Sequence, residues 1–170
     1  MKKILVLIPL LLFLSACSVQ EAVSPYLLVS RLEKAVPEAF FDADGMFYEN
    51  EKAVVYADYG GSRFAMEMTC DSEGRVQKIS LACNDTDKAE CFYSFARNIV
   101  SVYAPDENYD GISKNLYCGK QFSYYETQWY SYSFSSAVSG FYFGIENKKL
   151  SPAKDIGLTL KPNDIVTRAN

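Results

Sequence analysis

The sequence predicts an α+β domain in which an antiparallel sheet of about seven strands carries helices packed on one face. Short segments of alternating apolar and polar residues, separated by glycine and asparagine turns, predict the strands. Longer segments with apolar residues at helical spacing predict the helices. Apolar residues make up 49% of the 170 residues, so the chain has enough material for a packed core.

The first half is predicted to form one helix followed by four strands. Ser24 is a suitable N-cap, Pro25 fits the first helical position, and Pro37 ends the helical pattern. The strands are expected over residues 46–49, 53–59, 63–70 and 76–83, with turns at 50–51, 60–61 and 72–74.

The third and fourth of these strands align by their apolar faces. Met66 and Met68 alternate on one strand, and Ile79 and Leu81 alternate on the next. Pairing Met68 with Ile79 also brings Met66 opposite Leu81 and places both rows on one face. A shift of one residue would turn one row toward water, so the pattern predicts the register of this hairpin.

The second half is predicted to begin with two helices, one from Asp87 to about Tyr103 and a shorter one over residues 109–117. Its three strands are expected over residues 121–126, 129–134 and 140–145. In the middle strand three aromatic residues share one face, which we assign to the core beneath the helices: Tyr130, Tyr132 and Phe134.

The two halves also show a faint internal repeat at an offset of 77 residues. Residues 47–49 match residues 124–126. Three apolar residues of one strand, Phe64, Met66 and Met68, align with Phe141, Phe143 and Ile145. The order of elements resembles the two-repeat layout of the β-lactamase inhibitory protein and, more loosely, TBP-like folds. This resemblance implies two copies of a helix followed by an antiparallel meander.

The N-terminus has the pattern of a signal peptide. Lys2 and Lys3 precede eleven residues without a polar side chain, 4–14, and this run is shorter than the about 20 residues that span a bilayer. The next residues, Leu14-Ser15-Ala16-Cys17, resemble the lipobox of bacterial lipoproteins. The resemblance implies that Cys17 receives a thioether-linked diacylglycerol and becomes the mature N-terminus. The alternative is an ordinary secretory signal with an incidental cysteine.

The domain organisation follows from this resemblance at the N-terminus and from the predicted helices and strands in the rest of the chain. Residues 1–16 form the signal peptide, 17–24 the lipidated N-terminus and a short tether, and 25–150 a single α+β domain. Residues 151–170 are expected to form a loosely ordered tail with one short edge strand near residues 156–160.

The implied location is the extracytoplasmic side of the cell membrane, to which the lipid anchor binds. Because more than one acyl chain is attached, the anchoring would be stable. Ser18 stands where an aspartate would retain a lipoprotein in the inner membrane. In a host with two membranes, the expected location is therefore the inner leaflet of the outer membrane.

Four cysteines follow Cys17, and an even number in an exported chain favours two disulfides. In the register above Cys70 faces Gln77, about 20 Å along the strand from Cys83, so these two cysteines cannot bond. We favour Cys83–Cys91 with Cys70–Cys118. Cys83–Cys118 with Cys70–Cys91, and free thiols, are the alternatives. No C-x-x-C pair indicates a metal or redox site.

Charge and composition exclude several function classes. A net charge of −4 and a pI near 4.9 disfavour binding to nucleic acid. The chain has no histidine, which excludes Ser-His-Asp and Cys-His hydrolases and sites that need imidazole. The acidic residues lie mostly in predicted turns and helix starts, where carboxylates serve as caps. We therefore expect a protein that is not an enzyme and that holds no cofactor or metal.

Aromatic residues, 15% of the chain, point to a binding function. With the inner row assigned to the core, the candidates for an exposed binding surface are Tyr124, Tyr125 and Trp129. We expect a non-enzymatic envelope module that contacts a protein or a cell-wall polymer through its sheet. The alternative is a structural accessory subunit of an envelope or transport complex with no ligand of its own.

Overall fold

Among the residues that the structure describes, three α-helices lie on one face of an eight-stranded antiparallel sheet, which confirms the predicted fold class. The structure is a computed structural model and describes residues 23–150. The helices are α1 Pro25–Ala35, α2 Ala89–Tyr103 and α3 Tyr109–Leu116. The strands are β1 Phe40–Phe41, β2 Phe47–Glu49, β3 Lys52–Tyr59, β4 Ser62–Cys70, β5 Val76–Cys83, β6 Phe122–Glu126, β7 Tyr130–Ala137 and β8 Gly140–Asn147.

The sheet joins two meanders that meet at their last strands. The strand order is β1-β3-β4-β5-β8-β7-β6, and β2 also pairs with β3. Strand β5 ends the first meander and β8 ends the second, so their pairing forms the seam between the two halves. The sequence pattern did not predict β1, because its two residues, Phe40 and Phe41, are too few to show an alternation.

Each half consists of helix followed by antiparallel meander, but the 77-residue offset aligns the wrong strands. It places Phe64 on Phe141, and so matches β4, the second strand of its meander, with β8, the third. By position in the sheet, β5 is the counterpart of β8. The match therefore reflects the alternation of buried apolar side chains that these strands have in common, and the matched residues do not occupy equivalent positions in the two halves.

The predicted register of the β4–β5 hairpin is confirmed. Met66 lies opposite Leu81, and Met68 lies opposite Ile79. All four side chains are fully buried beneath the helices. A one-residue shift would have moved one of these rows to the other face of the sheet.

A β-bulge near the end of the hairpin changes the partner of Cys70. The register shifts immediately before Cys70, which lies opposite Val76 and not, as regular pairing predicted, opposite Gln77. In the turn, the Asp71 carboxylate accepts hydrogen bonds from the backbone N–H and the Nε of Arg75, at 2.9 and 2.6 Å. Although desolvation acts in the opposite direction, these bonds hold the pKa of Asp71 below its usual value.

Side-chain caps fix the starts of α1 and α3 close to their predicted positions. The Ser24 side chain caps α1, and Pro25 occupies the first helical position. Helix α2 begins at Ala89, two residues later than predicted, because Thr86–Lys88 form a 3-10 turn before it. Asn108 caps α3 through a hydrogen bond from a backbone N–H to its side chain.

Helix α2 supplies the centre of the core. The rings of Phe92 and Phe95 are fully buried against the sheet. The Phe95 ring centroid lies 4.8 Å from that of Phe64 on β4, and the Phe92 centroid lies 5.4 Å from that of Phe141 on β8. One helix therefore contacts strands from both halves.

The inner face of β7 carries the aromatic row that was assigned to the core. Tyr130, Tyr132 and Phe134 each expose no more than 3% of their surface, which confirms that assignment. Ser131 and Ser133 alternate with them and lie on the outer face of the sheet, away from the helices.

The predictions for the two ends of the chain lie outside the described residues. They concern Cys17 with its signal peptide, most of the tether, and the tail of residues 151–170 with its edge strand. Within residues 23–150, no helix is both long and apolar enough to cross a membrane. The described chain begins at Val23, whose carbonyl accepts a hydrogen bond from the Val76 N–H at 2.8 Å.

Phe95→Ala should be the most damaging single change in α2. The buried Phe95 ring contacts the rings of Phe41, Tyr59 and Phe64, so its removal leaves a cavity and should cost about 3 to 5 kcal/mol. Urea unfolding measures this loss. The control is Ser101→Ala on the exposed side of α2, with an expected change within about 0.5 kcal/mol. Equal urea midpoints for the two variants would contradict this placement of α2.

Gly140→Ala should be costly because Gly140 touches the backbone of β5. Its φ is +139°, and a Cβ would lie 2.2 Å from the carbonyl oxygen of Cys83. We expect a loss of about 3 kcal/mol or more in the free energy of unfolding. Gly61 is the matched control, since its φ is +79° but a Cβ there would meet nothing within 4 Å. Gly61→Ala should cost about 1 to 2 kcal/mol, and equal losses would rule out the contact as the cause.

Candidate functional site

The outer face of the sheet, opposite the helices, contains a shallow groove of about 80 Å³. Phe122 and Tyr124 form its wall and project from β6, the strand at one edge of the sheet. Small residues of β7 and β8 form its floor, namely Ser131, Ser133 and Gly144. We refer to these five residues as the outer groove.

The depth of the outer groove depends on Gly144. A Cβ at this position would lie 2.5 Å from Ser133 Oγ, so a side chain here would force the serine to move and would raise the floor. Glycine within a strand commonly marks a place where another group approaches closely. The two serines and the glycine therefore leave open a space that the usual large residues of a strand would fill.

Charged side chains surround the outer groove. Lys78 and Glu146 also line the groove, from directly opposite positions on β5 and β8. The Tyr124 hydroxyl donates a hydrogen bond to Glu126, and Lys148 Nζ lies 3.6 Å from Glu126 Oε2. The hydrogen bond from Tyr124, assisted by the charge of Lys148, lowers the pKa of Glu126, so its carboxylate stays ionised at neutral pH.

The structure separates the three aromatic residues that were expected to form one binding surface. Tyr124 is 39% exposed and borders the outer groove. Trp129 is 42% exposed but lies in the turn before β7, where the Lys149 ammonium sits 3.6 Å from its ring centroid. Tyr125 is partly buried and packs against the core opposite Tyr132. Its expected exposure is wrong, because neighbouring residues of a strand point to opposite faces.

Phe122 and the residues of the groove floor were not among those predicted to form the site. Phe122 is 48% exposed and alternates with Tyr124 on the outer face of β6. The alternating serines of β7 were the available signal, because they place small residues beside this aromatic pair. Gly144 could not be added from the sequence, because alternation within β8 does not reveal which strand lies beside it.

The size of the outer groove determines what it can bind. Sites for small-molecule ligands usually measure about 300 to 1,000 Å³, whereas this groove measures about 80 Å³. The groove can accept one side chain of a partner. The aromatic wall of the groove would contact the apolar part of that side chain, and the serine hydroxyls of the floor would lie near a polar group at its end. A pocket that receives one buried anchor is typical of a protein–protein contact.

All four cysteines in the described chain are free thiols, so neither favoured disulfide is formed. Cys70 ends β4, whereas Cys118 lies just before β6, which is four strand spacings or about 19 Å away across the sheet. Cys83 is buried at the end of β5, and the Cys91 thiol instead donates a hydrogen bond to the Tyr59 carbonyl at 3.2 Å. The structure corresponds to the free-thiol alternative.

No protein-family model, curated protein or solved structure matches the chain. The N-terminal sequence and the geometry of the described residues are therefore the observations that bear on function.

Cys118 should be the most reactive of the four thiols. It is exposed, and a hydrogen bond from Ser123 together with the charge of Lys120 lowers its pKa. Desolvation raises the pKa of Cys70 and of Cys83, which are buried. Because the thiolate is the form that reacts, iodoacetamide should alkylate Cys118 first at mildly alkaline pH. Peptide mapping by mass spectrometry measures the order.

Ser123→Ala tests the cause of this reactivity. Without the serine donor the pKa of Cys118 should rise, which moves the whole pH–rate profile to higher pH and lowers the rate at any pH below the pKa. Ser135→Ala on the outer face of β7 should leave the profile unchanged. If the Ser123→Ala profile coincides with that of the unmodified sequence, Ser123 does not stabilise the thiolate.

Proposed function

We propose that this protein is a lipid-anchored, extracytoplasmic binding protein of the cell envelope that holds a protein partner through the outer groove. The binding would be non-enzymatic. The observation that carries the proposal is a groove with an aromatic wall and a floor of small residues, large enough for one side chain.

The N-terminal sequence supports the anchor. A basic start, an apolar run too short to span a bilayer, and Leu14-Ser15-Ala16-Cys17 follow each other in the order found in lipoprotein signals. Removal of residues 1–16 would take away Lys2 and Lys3 but no acidic residue, leaving a net charge of about −6. Such a domain is not attracted to anionic lipid, so the acyl chains on Cys17 would supply the membrane affinity.

The position of the outer groove favours a protein partner over a cell-wall polymer. Within residues 23–150, β6 has a neighbouring strand on one side only. An extended segment of a partner can pair with such an edge through its backbone and can place one side chain in an adjacent pocket. Phe122 and Tyr124 line the groove directly beside this edge. Backbone pairing would supply affinity, and the groove would supply specificity.

Cross-linking in cells tests the role of the outer groove. A photoreactive residue at position 124 should give one discrete adduct with a protein partner. Ser133→Leu fills the floor and should reduce that adduct about tenfold or more, because it occupies the space of the anchor side chain. Thr69→Leu adds leucine at a half-buried hydroxyl position that does not line the groove, and should leave the adduct unchanged. An adduct that survives Ser133→Leu would contradict the proposal.

Cys17→Ala tests the anchor separately. Without the thiol no thioether can form, so the variant should lose the lipid and keep its signal peptide. Mass spectrometry of the N-terminal peptide, together with phase partitioning in detergent, measures both changes. Ser18→Ala alters the neighbouring residue and should leave lipidation intact. Partitioning into the detergent phase with normal cleavage in Cys17→Ala would show that Cys17 is not the lipidated residue.

A further inference from the structure

A second concave site lies between α2 and α3, on the side of the sheet that the helices cover. It has a volume of about 310 Å³ and is lined by residues one turn apart on each helix. The residues that matter are Glu90, Tyr93 and Arg97 of α2, and Tyr109, Asp110 and Tyr117 at α3. We refer to these six residues as the helix groove.

Tyrosine rings form the wall of the helix groove. The ring centroids of Tyr93 and Tyr117 lie 4.2 Å apart with an interplanar angle of 35°, and both side chains are half-buried. Tyr117 also packs edge-on against the buried ring of Phe134 at 4.8 Å, which fixes its position. The core therefore holds the wall in place, and the partly exposed rings of Tyr93 and Tyr117 border the groove.

The hydroxyl groups of Tyr117 and Tyr109 form an ordered chain of hydrogen bonds that ends at the backbone carbonyl of Tyr93. The Tyr109 hydroxyl donates its single proton to the backbone carbonyl of Tyr93 at 3.1 Å. The 2.8 Å bond between Tyr109 Oη and Tyr117 Oη must then use the proton of Tyr117. Tyr117 Oη keeps its lone pairs available as an acceptor. Desolvation raises the pKa of Tyr109 to about 12 and raises that of Tyr117, so both remain protonated at neutral pH.

Charged residues give the helix groove both donors and acceptors. Arg97 pairs with Asp110 across the groove and lies with its guanidinium carbon 5.5 Å from the Tyr109 ring centroid. The side chains of Arg97 and Asp110 are 56% and 71% exposed, so both can contact a ligand. Glu90 adds a second carboxylate. The excess of negative charge disfavours an anion, and Arg97 disfavours a cation.

We propose that the helix groove binds a neutral sugar, one pyranose ring of a glycan, packed against the parts of the Tyr93 and Tyr117 rings that remain exposed in the groove. A pyranose has an apolar C–H face that suits an aromatic ring, and its hydroxyls both donate and accept hydrogen bonds. Arg97 supplies donors, whereas Asp110 and Tyr117 Oη supply acceptors. The groove volume is at the lower end of the range for small-ligand sites, which fits a single ring.

This site does not depend on the lipid anchor or on the outer groove. The helix groove and the outer groove have no lining residue in common, and they lie on opposite faces of the sheet. Loss of one binding activity therefore leaves the other to be measured in the same protein.

Calorimetric titration of the full chain tests the proposal. The proposed lipid anchor requires a detergent to keep the full chain in solution. A polyoxyethylene detergent is suitable because it carries neither a sugar nor a quaternary ammonium group that could compete with the probes. The probes are cellohexaose and the hexamer of N-acetylglucosamine, which differ by the acetamido group. Saturable binding of either probe is the expected result, and the tighter one identifies the preferred sugar.

Three variants locate the binding. Tyr117→Phe keeps the ring but removes the acceptor and should weaken binding about 3- to 10-fold. Arg97→Gln removes an exposed charge and should weaken binding about tenfold or more, with no effect on folding expected at such a position. Ser101→Ala is on the same helix outside the helix groove and should change the affinity less than twofold.

Three results would overturn the proposal. The first is that neither hexamer binds. The second is that the three variants bind the sugar with equal affinity. The third is that tetramethylammonium binds in place of the sugars and that its affinity falls in Arg97→Gln or Tyr117→Phe. The last result would identify the tyrosine wall as a site for organic cations. Because Arg97 lies on the surface, its variant keeps the test decisive even if Tyr117→Phe unfolds.

Discussion

The packing of α2 across the seam between β5 and β8 is the interaction on which the other features depend. The ring of Phe92 contacts Phe64 from the first half of the sheet and Phe134 and Phe141 from the second, at centroid distances of 6.3, 6.2 and 5.4 Å. The seam joins strands that are far apart in sequence, so its formation carries a loop-closure cost. Backbone hydrogen bonds contribute only about 1 kcal/mol each after the exchange with water. Burial of the α2 aromatic rings adds about 1.5 to 3 kcal/mol for each phenylalanine and so contributes an offset of similar size.

Further contacts fix the end of α2 against the same seam. The Tyr103 hydroxyl donates a hydrogen bond to the Val76 carbonyl at 2.7 Å, where β5 begins. At the other end of β5, Gly140 lies so close to the Cys83 carbonyl that it must lack a side chain. Helix α2 and strand β8 therefore hold β5 at both of its ends, and this fixes the position of the first meander relative to the second.

This arrangement of the core determines the chemistry of the outer face. Large residues of β7 point toward the helices, and the alternation of the strand leaves serines on the other side. The same strand thus supplies a ridge of the core and the floor of the outer groove. Strand β6 has the opposite arrangement at two neighbouring residues: the large Tyr124 faces outward, while the small Ser123 is buried. An aromatic wall therefore stands beside a low floor, and a groove results.

Periodicity predicted the helices, every described strand except β1, and the inner faces of β4, β5 and β7. The pairing of Met66 with Leu81 followed from the sequence because one buried row admits only one register. Periodicity could not predict the bulge before Cys70, because a single extra residue in one strand leaves the alternation on either side unchanged. The favoured pairing of Cys70 with Cys118 failed for a related reason, since it required the order of strands in the sheet.

The candidate sites were harder to predict than the fold, because they depend on residues from separate elements. Gly144 and Ser133 become a groove floor only when β7 and β8 are adjacent. Tyr93 and Tyr117 have the spacing of ordinary core residues, and the helix groove appears only when α2 and α3 are placed together. A sequence pattern shows which side of an element is apolar but not what the neighbouring element leaves uncovered.

Local charge balance sets the kind of ligand that each groove can accept. Lys148 lies near Glu126 beside the outer groove, and Arg97 pairs with Asp110 in the helix groove. The acidic domain as a whole repels anionic polymers, but at physiological salt this field is screened beyond about 8 Å. Within that distance the nearby charges determine the potential: Lys148 offsets Glu126, and Arg97 offsets Asp110, while Glu90 adds one further carboxylate to the helix groove. Both grooves therefore disfavour anionic ligands, which is consistent with the proposed apolar side chain on the outer face and the proposed neutral sugar between the helices.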